Sequence, residues 1–210
     1  MSKKYFIMAD GKATRFNGAF KHLLKVDGEA IIARAVRLLY KYGAEDITIC
    51  SRHQQYTYAP RKKYPDNVEE IDKFYSSRED WEGTCVFVYG DVFFSEEAIK
   101  TITSYEGKNI EFFGRPLPSK ITGGKHGEIF AVYVPEAKHK EFKEACAFIR
   151  QGVQSGSVKR GGAWELYRHL QGIGLNNHIV TTNMTIIDDW TDDFDYLEDY
   201  KVFMKRWNSK

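Results

Sequence analysis

Gly11-Lys12-Ala13-Thr14-Arg15-Phe16-Asn17-Gly18, with Lys21 three residues further on, sets backbone N–H groups, one hydroxyl and three fixed positive charges where they can converge on a polyphosphate. Two familiar glycine loops do not fit. A P-loop needs Ser or Thr after Gly-Lys, and Ala13 stands there. The dinucleotide fingerprint needs glycines at its third and sixth positions, occupied here by Ala13 and Phe16. Carboxylates form the second set of candidates. Asp91 follows the apolar run Cys85-Val86-Phe87-Val88-Tyr89-Gly90. An aspartate at the end of a buried strand is costly unless it is paired, capped or holding a metal. Asp188, Asp189, Asp192, Asp193, Asp195, Glu198 and Asp199 crowd one late segment. Such a run is either a solvated acidic turn before a helix or the source of a carboxylate for a hard cation shared with substrate phosphates. Cys50, Cys85 and Cys146 are odd in number and far apart, and none of the six histidines falls at a metal spacing, so neither a disulfide framework nor zinc is indicated.

The elements that would position these groups alternate. Tyr5–Met8 is a short apolar run that stops at Asp10-Gly11, as a central parallel strand does at the carboxyl edge of a sheet, where ligands bind. Glu29 to Tyr42 carries a helical stripe ending at Gly43, and Asp46 to Ser51 reads as a second strand, which implies a parallel sheet. Arg52 to Asn67, with Tyr56, Tyr58, Arg61, Lys62, Lys63 and Tyr64 between Pro60 and Pro65, reads as a long exposed loop; its bases and aromatics allow stacking on a nucleobase or single strand, or simple solvation. A helix is expected over Asn67 to Trp81, and another after the N-cap Ser95 with Glu96 and Glu97 in its first turn. Asn109 to Gly114 and Glu128 to Val134 read as strands joined by the glycine-rich linker 121–127, where Lys120, Lys125 and Glu128 can reach a substrate phosphate or hydroxyl, or stay solvated. Beyond them come a helix over Glu136 to Arg150, a mobile lid-like connection over Gly152 to Gly162, a helix over Trp164 to Leu170 and a strand over His178 to Asn183.

Met8-Ala9-Asp10-Gly11-Lys12-Ala13-Thr14-Arg15-Phe16, Phe20-Lys21 and Leu24-Lys25-Val26-Asp27-Gly28 together resemble the amino-terminal signature of the nucleotidyltransferases with a glycosyltransferase-A-like fold, which include sugar-phosphate, phosphocholine and molybdenum cofactor nucleotidyltransferases. Asp10, Ala13 and Phe20 depart from that pattern; Arg15 and Lys21 keep its charges. The resemblance implies a three-layer α/β/α fold with a mostly parallel mixed sheet, Rossmann-like in the manner of nucleotide-diphospho-sugar transferases. It implies a nucleotide site at Ala9, Gly11, Lys12, Thr14, Arg15 and Lys21, with Arg15 and Lys21 catalytic. It also implies Mg2+ held by Asp91 and by Asp195, the latter read from Asp195-Tyr196-Leu197-Glu198-Asp199, with Asp193 as the alternative register. The implied reaction joins a nucleoside triphosphate to a sugar 1-phosphate or similar small phosphate and releases pyrophosphate. Phe93 stands where a metal-dependent glycosyltransferase of this fold would carry the second acid of Asp-x-Asp. A glycosyltransferase and a non-catalytic nucleotide-binding module are the competing readings.

At 210 residues the chain is expected to form one domain over 1–210. A formal charge of +2 gives no field to collect nucleic acid or a membrane surface, and no run approaches the roughly 20 apolar residues of a membrane span. A cytoplasmic protein acting on small molecules is expected, with homodimerisation left open.

Overall fold

The computed structural model describes residues 2–11, 16, 20–64, 70–177 and 183–210. Strand β1 (Lys3–Met8) leads to the hairpin β2 (Lys25–Val26) and β3 (Glu29–Ala30), then to helix α1 (Ile31–Lys41), β4 (Asp46–Cys50) and β5 (Arg61–Lys62). Helix α2 (Glu70–Ser76) precedes β6 (Thr84–Tyr89), β7 (Val92–Phe93), α3 (Glu96–Ser104), β8 (Glu111–Arg115) and β9 (Glu128–Val134). The chain closes with α4 (His139–Ser155), α5 (Ala163–Leu170), β10 (Thr185–Ile186), β11 (Asp192–Asp193) and α6 (Leu197–Trp207).

Among the described residues one sheet runs in the order β10-β8-β9-β6-β1-β4-β5. Its pairings are parallel except for those of β9, which runs antiparallel to both β6 and β8. Side chains alternate across β1, so each face collects its own core. Tyr5 and Ile7 pack with Ile32, Val36 and Leu39 of α1 and Ile99 and Ile102 of α3. Phe6 and Met8 pack on the other face with Phe74 of α2, Phe142 and Ile149 of α4 and Leu166 of α5. This is the expected three-layer α/β/α arrangement with a mostly parallel mixed sheet. A third cluster, Phe16, Val26, Ile31, Phe93, Phe194 and Phe203, seats α6 against the β2–β3 hairpin and the small antiparallel ribbon β7–β11.

Several local expectations change. The segment after Arg52 is not a simple exposed loop: β5 adds to the sheet edge beside β4, and Tyr56 and Tyr64 are buried, which removes both as an open stacking surface. The helix expected over Asn67 to Trp81 is α2 followed, after Ser77, by a 3-10 turn at Arg78–Asp80; residues 67–69 lie outside the described set. Ser77 closes that corner, its hydroxyl donating to the Phe74 carbonyl and accepting from Trp81 Nε1. Helix α4 continues through Gly152, where Val158 occupies the space a Cβ would need, and stops at Gly156 in the left-handed region (φ +75°). The connection beyond it is fastened, because Ile71 N–H donates to the Gly161 carbonyl at 2.8 Å. Most of the strand expected over His178 to Asn183 lies outside the described residues; β10 extends the sheet two residues later, beside β8.

Candidate active site

The chain leaves β1 toward β4 on one side and leaves β6 toward β8 and β9 on the other, so the strand order reverses at the neighbouring carboxyl ends of β1 and β6. Such a switch point opens a crevice for ligands. Ala9, Asp10 and Gly11 follow β1 there, and Gly90 and Asp91 follow β6. Gly90 N–H donates to the Met8 carbonyl at 3.0 Å, and a Cβ on Gly90 would come within 3.1 Å of Ala9 Cβ and of Ile7 Cγ2, so a side chain at residue 90 would crowd the ends of the two paired strands.

Lys21 begins a 3-10 turn, Lys21–Leu23, whose middle residue is a buried anchor. The His22 Nδ1 and the Tyr56 hydroxyl lie 2.9 Å apart, and burial pushes the imidazole down to about 4, so His22 is neutral near pH 7. With that turn fixed, Lys21 Nζ stands 3.2 Å from Asp91 Oδ2. Burial works against the Lys21 charge, but the carboxylates of Asp91, Asp193 and Asp195 outweigh it and raise the ammonium pKa. Burial likewise opposes the Asp91 charge and is outweighed by Lys21, which with more distant cations holds this carboxyl down to about 2. Both members of the pair are therefore charged near neutrality.

Asp193 and Asp195 arrive by a different route. Strand β11 pairs antiparallel with β7, Asp193 opposite Val92 and Asp192 opposite Phe93, which brings the acidic segment beside Asp91. Side chains alternate from there: Asp192 and Phe194 are fully buried, while Asp193 and Asp195 are partly open on the opposite face. Glu128, the first residue of β9, joins them, and one carboxylate oxygen from each of Glu128, Asp193 and Asp195 lies within 4.8 Å of the others. Burial, reinforced by the neighbouring carboxylates, pushes Glu128 and Asp193 well above the usual carboxylate range. Three oxygen donors this close together suit a hard divalent ion. Beside them opens a cavity of about 290 Å3, also lined by Lys125, His126 and Tyr196.

Asp192 has a structural task. Arg115 Nη2 donates to its Oδ1 at 2.7 Å and Nε at 3.0 Å, while Ser119 and Thr122 hydroxyls donate to its Oδ2. Arg115 also donates to the His126 carbonyl at 2.9 Å, so one buried ion pair fixes both ends of the 116–127 loop to β11.

The other sequence candidates divide. Gly11 lies at the switch point, and Ala9 is buried with its N–H donating to the Cys50 carbonyl. Lys12, Thr14 and Arg15 lie outside the described residues. Lys125 lines the cavity as an exposed side chain. Asp10 turns away from ligand duty: its buried carboxylate accepts from the Arg52 backbone N–H and guanidinium, all at about 3.0 Å, which holds it charged despite burial. The sequence shows an unpaired acid at a strand end, and its partner 42 residues away emerges only in three dimensions. Likewise Glu128 reads as a substrate contact in sequence, and the structure sets it among the carboxylates. The period-two spacing of Asp193 and Asp195 was the available signal that both share one face.

Residues 5–75 match the family described as the MobA-like NTP transferase domain. Among solved structures, the chain is similar to CTP:phosphocholine cytidylyltransferase from Streptococcus pneumoniae, with 13% identity over 98% of this chain and 99% of that one and a TM-score of 0.64. The chain has the nucleotidyltransferase fold. A nucleotidyl transferase from Methanothermobacter thermautotroptrophicus shares that fold at a TM-score of 0.67, 10% identity and 99% and 98% coverage of the two chains. UDP-glucose pyrophosphorylase from Acinetobacter baumanii shares it at 0.61, 12% identity and 97% and 92% coverage. No curated protein matches the sequence. Among the described residues no helix is long and apolar enough to cross a membrane. Within this nucleotidyltransferase fold, Lys21, Asp91 and the Asp193–Asp195 face meet at the switch point from three separate parts of the chain.

Proposed function

We propose that this chain is a magnesium-dependent nucleotidyltransferase that joins a nucleoside triphosphate to a sugar 1-phosphate or similar small alcohol phosphate and releases pyrophosphate. The observation that carries this reading is the charged Lys21–Asp91 pair at the carboxyl ends of β1 and β6, facing Asp193 and Asp195. A phosphate oxygen of the acceptor attacks the α-phosphorus in line; the new P–O bond forms as the bond to the bridging oxygen breaks, and pyrophosphate leaves with that electron pair. The nucleophile is already ionised, so no general base is needed and catalysis rests on positioning and charge. Lys21 is held protonated by its carboxylate neighbours, and its N–H groups can pass from Asp91 to the phosphate chain when the triphosphate enters. Asp91, Asp193, Asp195 and Glu128 would hold Mg2+, which supplies positive charge between these carboxylates and the phosphate oxygens. Arg15 and Lys12 would add charge from the loop, and Lys125 would meet the acceptor at the cavity.

The departure at Asp10 is compatible with activity, because its carboxylate is engaged by Arg52 rather than aimed at the phosphates. Magnesium-dependent pyrophosphate release from each common triphosphate, against sugar 1-phosphates and phosphocholine, tests the proposal. Lys21→Ala is expected to lower turnover about 100- to 1000-fold while weakening nucleotide binding far less. Turnover that survives this substitution unchanged would overturn the reading.

A further inference from the structure

Helix α2 lies over the β6 end of the crevice. Phe74 packs edge-on to Phe87 at 5.1 Å and to Tyr89 at 6.4 Å, and Glu70 accepts from the Tyr89 hydroxyl and from Ala163 N–H. Lys73 follows Glu70 by one turn on the same face, and helical side chains tilt toward the helix N-terminus. That register carries the Lys73 chain back toward Tyr89 and the Gly90-Asp91 corner. Its charge is felt at Asp10, His22, Cys50 and Asp91, which mark the ends of β1, β4 and β6 and the Lys21 turn. Lys73 itself is partly buried, yet it has no hydrogen bond or ion pair with a described residue, and its neighbour Asp72 pairs with Arg150 instead. A partly buried ammonium beside a crevice, with no carboxylate partner among the described residues, suits an anionic ligand.

We infer that Lys73 of α2 is a further binding residue of the site, donating to the phosphate chain of the bound nucleotide from the β6 end of the crevice. The inference rests on the reading of the crevice as a polyphosphate site. It adds to the loop a cation carried by a helix, which the amino-terminal signature does not contain.

Calorimetry on the full chain tests it with a nucleoside and its mono-, di- and triphosphates, comparing wild type with Lys73→Met, Lys73→Arg and the exposed α4 control Lys143→Ala. The expected result is a loss of about tenfold or more in triphosphate affinity for Lys73→Met, a shallower salt dependence, and nucleoside affinity and melting temperature unchanged. Lys73→Arg should recover most of the loss, and Lys143→Ala should match wild type. An equal loss for nucleoside and triphosphate, or no loss for either, would overturn the assignment. Triphosphate binding that depends on Lys73 without pyrophosphate release would sustain the inference while sinking the transferase. Absence of triphosphate binding by wild type would sink both.

Discussion

Asp192 and Asp193 are neighbours in sequence with opposite energetics. Asp192 is 0% exposed and Arg115 7%, and removing one partner of a buried pair strands the other charge. Asp192→Ala is therefore expected to cost about 3–5 kcal/mol in urea unfolding. Asp193 is destabilised by its own charge. Burial, with the nearby acids, pushes it to about 8 and Glu128 to about 9, whereas unfolded carboxyls titrate near 4. The native state then binds more protons than the unfolded state between those limits, so these two groups make stability fall as pH rises through that window. In chelator, the melting temperature should drop from about pH 6 to about pH 9, Mg2+ should restore it at the alkaline end, and Asp193→Asn should flatten the drop. A melting temperature that rises over that range in wild type would contradict the assignment. In the sequence both residues read as members of one acidic run. Their separation was not legible there, because β11 is only two residues long and the arginine that distinguishes them lies 77 residues away.

At the scale of elements, the chemistry depends on a ribbon of two two-residue strands held by a helix. Phe203 of α6 is fully buried and lies 4.9 Å from the Phe93 ring of β7 and 5.1 Å from the ring of Phe194, the residue between Asp193 and Asp195. Phe203→Ala is expected to cost about 3–5 kcal/mol and to weaken Mg2+ binding although it touches no proposed ligand; calorimetric titration of Mg2+ beside a melt separates the two effects. Helix α1 and the helix capped by Ser95 were legible because their apolar stripes and cap are local signals; the Ser95 hydroxyl does accept from Ala98 N–H at 2.9 Å. The ribbon was not, because two residues are too few to show a period and its partners are about a hundred residues apart.

Across the whole molecule, the order of strands and helices carried most of the fold: an apolar strand, a helix and a second apolar strand read locally as a parallel unit, and β1, α1 and β4 form it. The edges were harder to read. Strand β5 is basic and exposed, and it belongs to the sheet through its pairing with β4 rather than through any hydrophobic pattern. Where the two halves of the sheet diverge, β1 and β6 finish in van der Waals contact. Gly90→Ala places a methyl 3.1–3.2 Å from Ala9, Ile7 and His22 and is expected to cost about 1–3 kcal/mol while displacing Asp91 from Lys21, seen as a loss of turnover larger than the stability change alone would give.

The buried and open alternation along β11 also sets what kind of heritable change this protein tolerates. A one-codon deletion between Ile187 and Thr191 would slide Asp193 onto Arg115, bring Phe194 into the cavity in place of Asp193 and put Tyr196 where Asp195 stood. A one-codon insertion would likewise trade Asp195 for Phe194. Substitutions in that stretch act singly, whereas a frame-preserving length change would remove at least one carboxylate from the cavity and a ring from the core in one event.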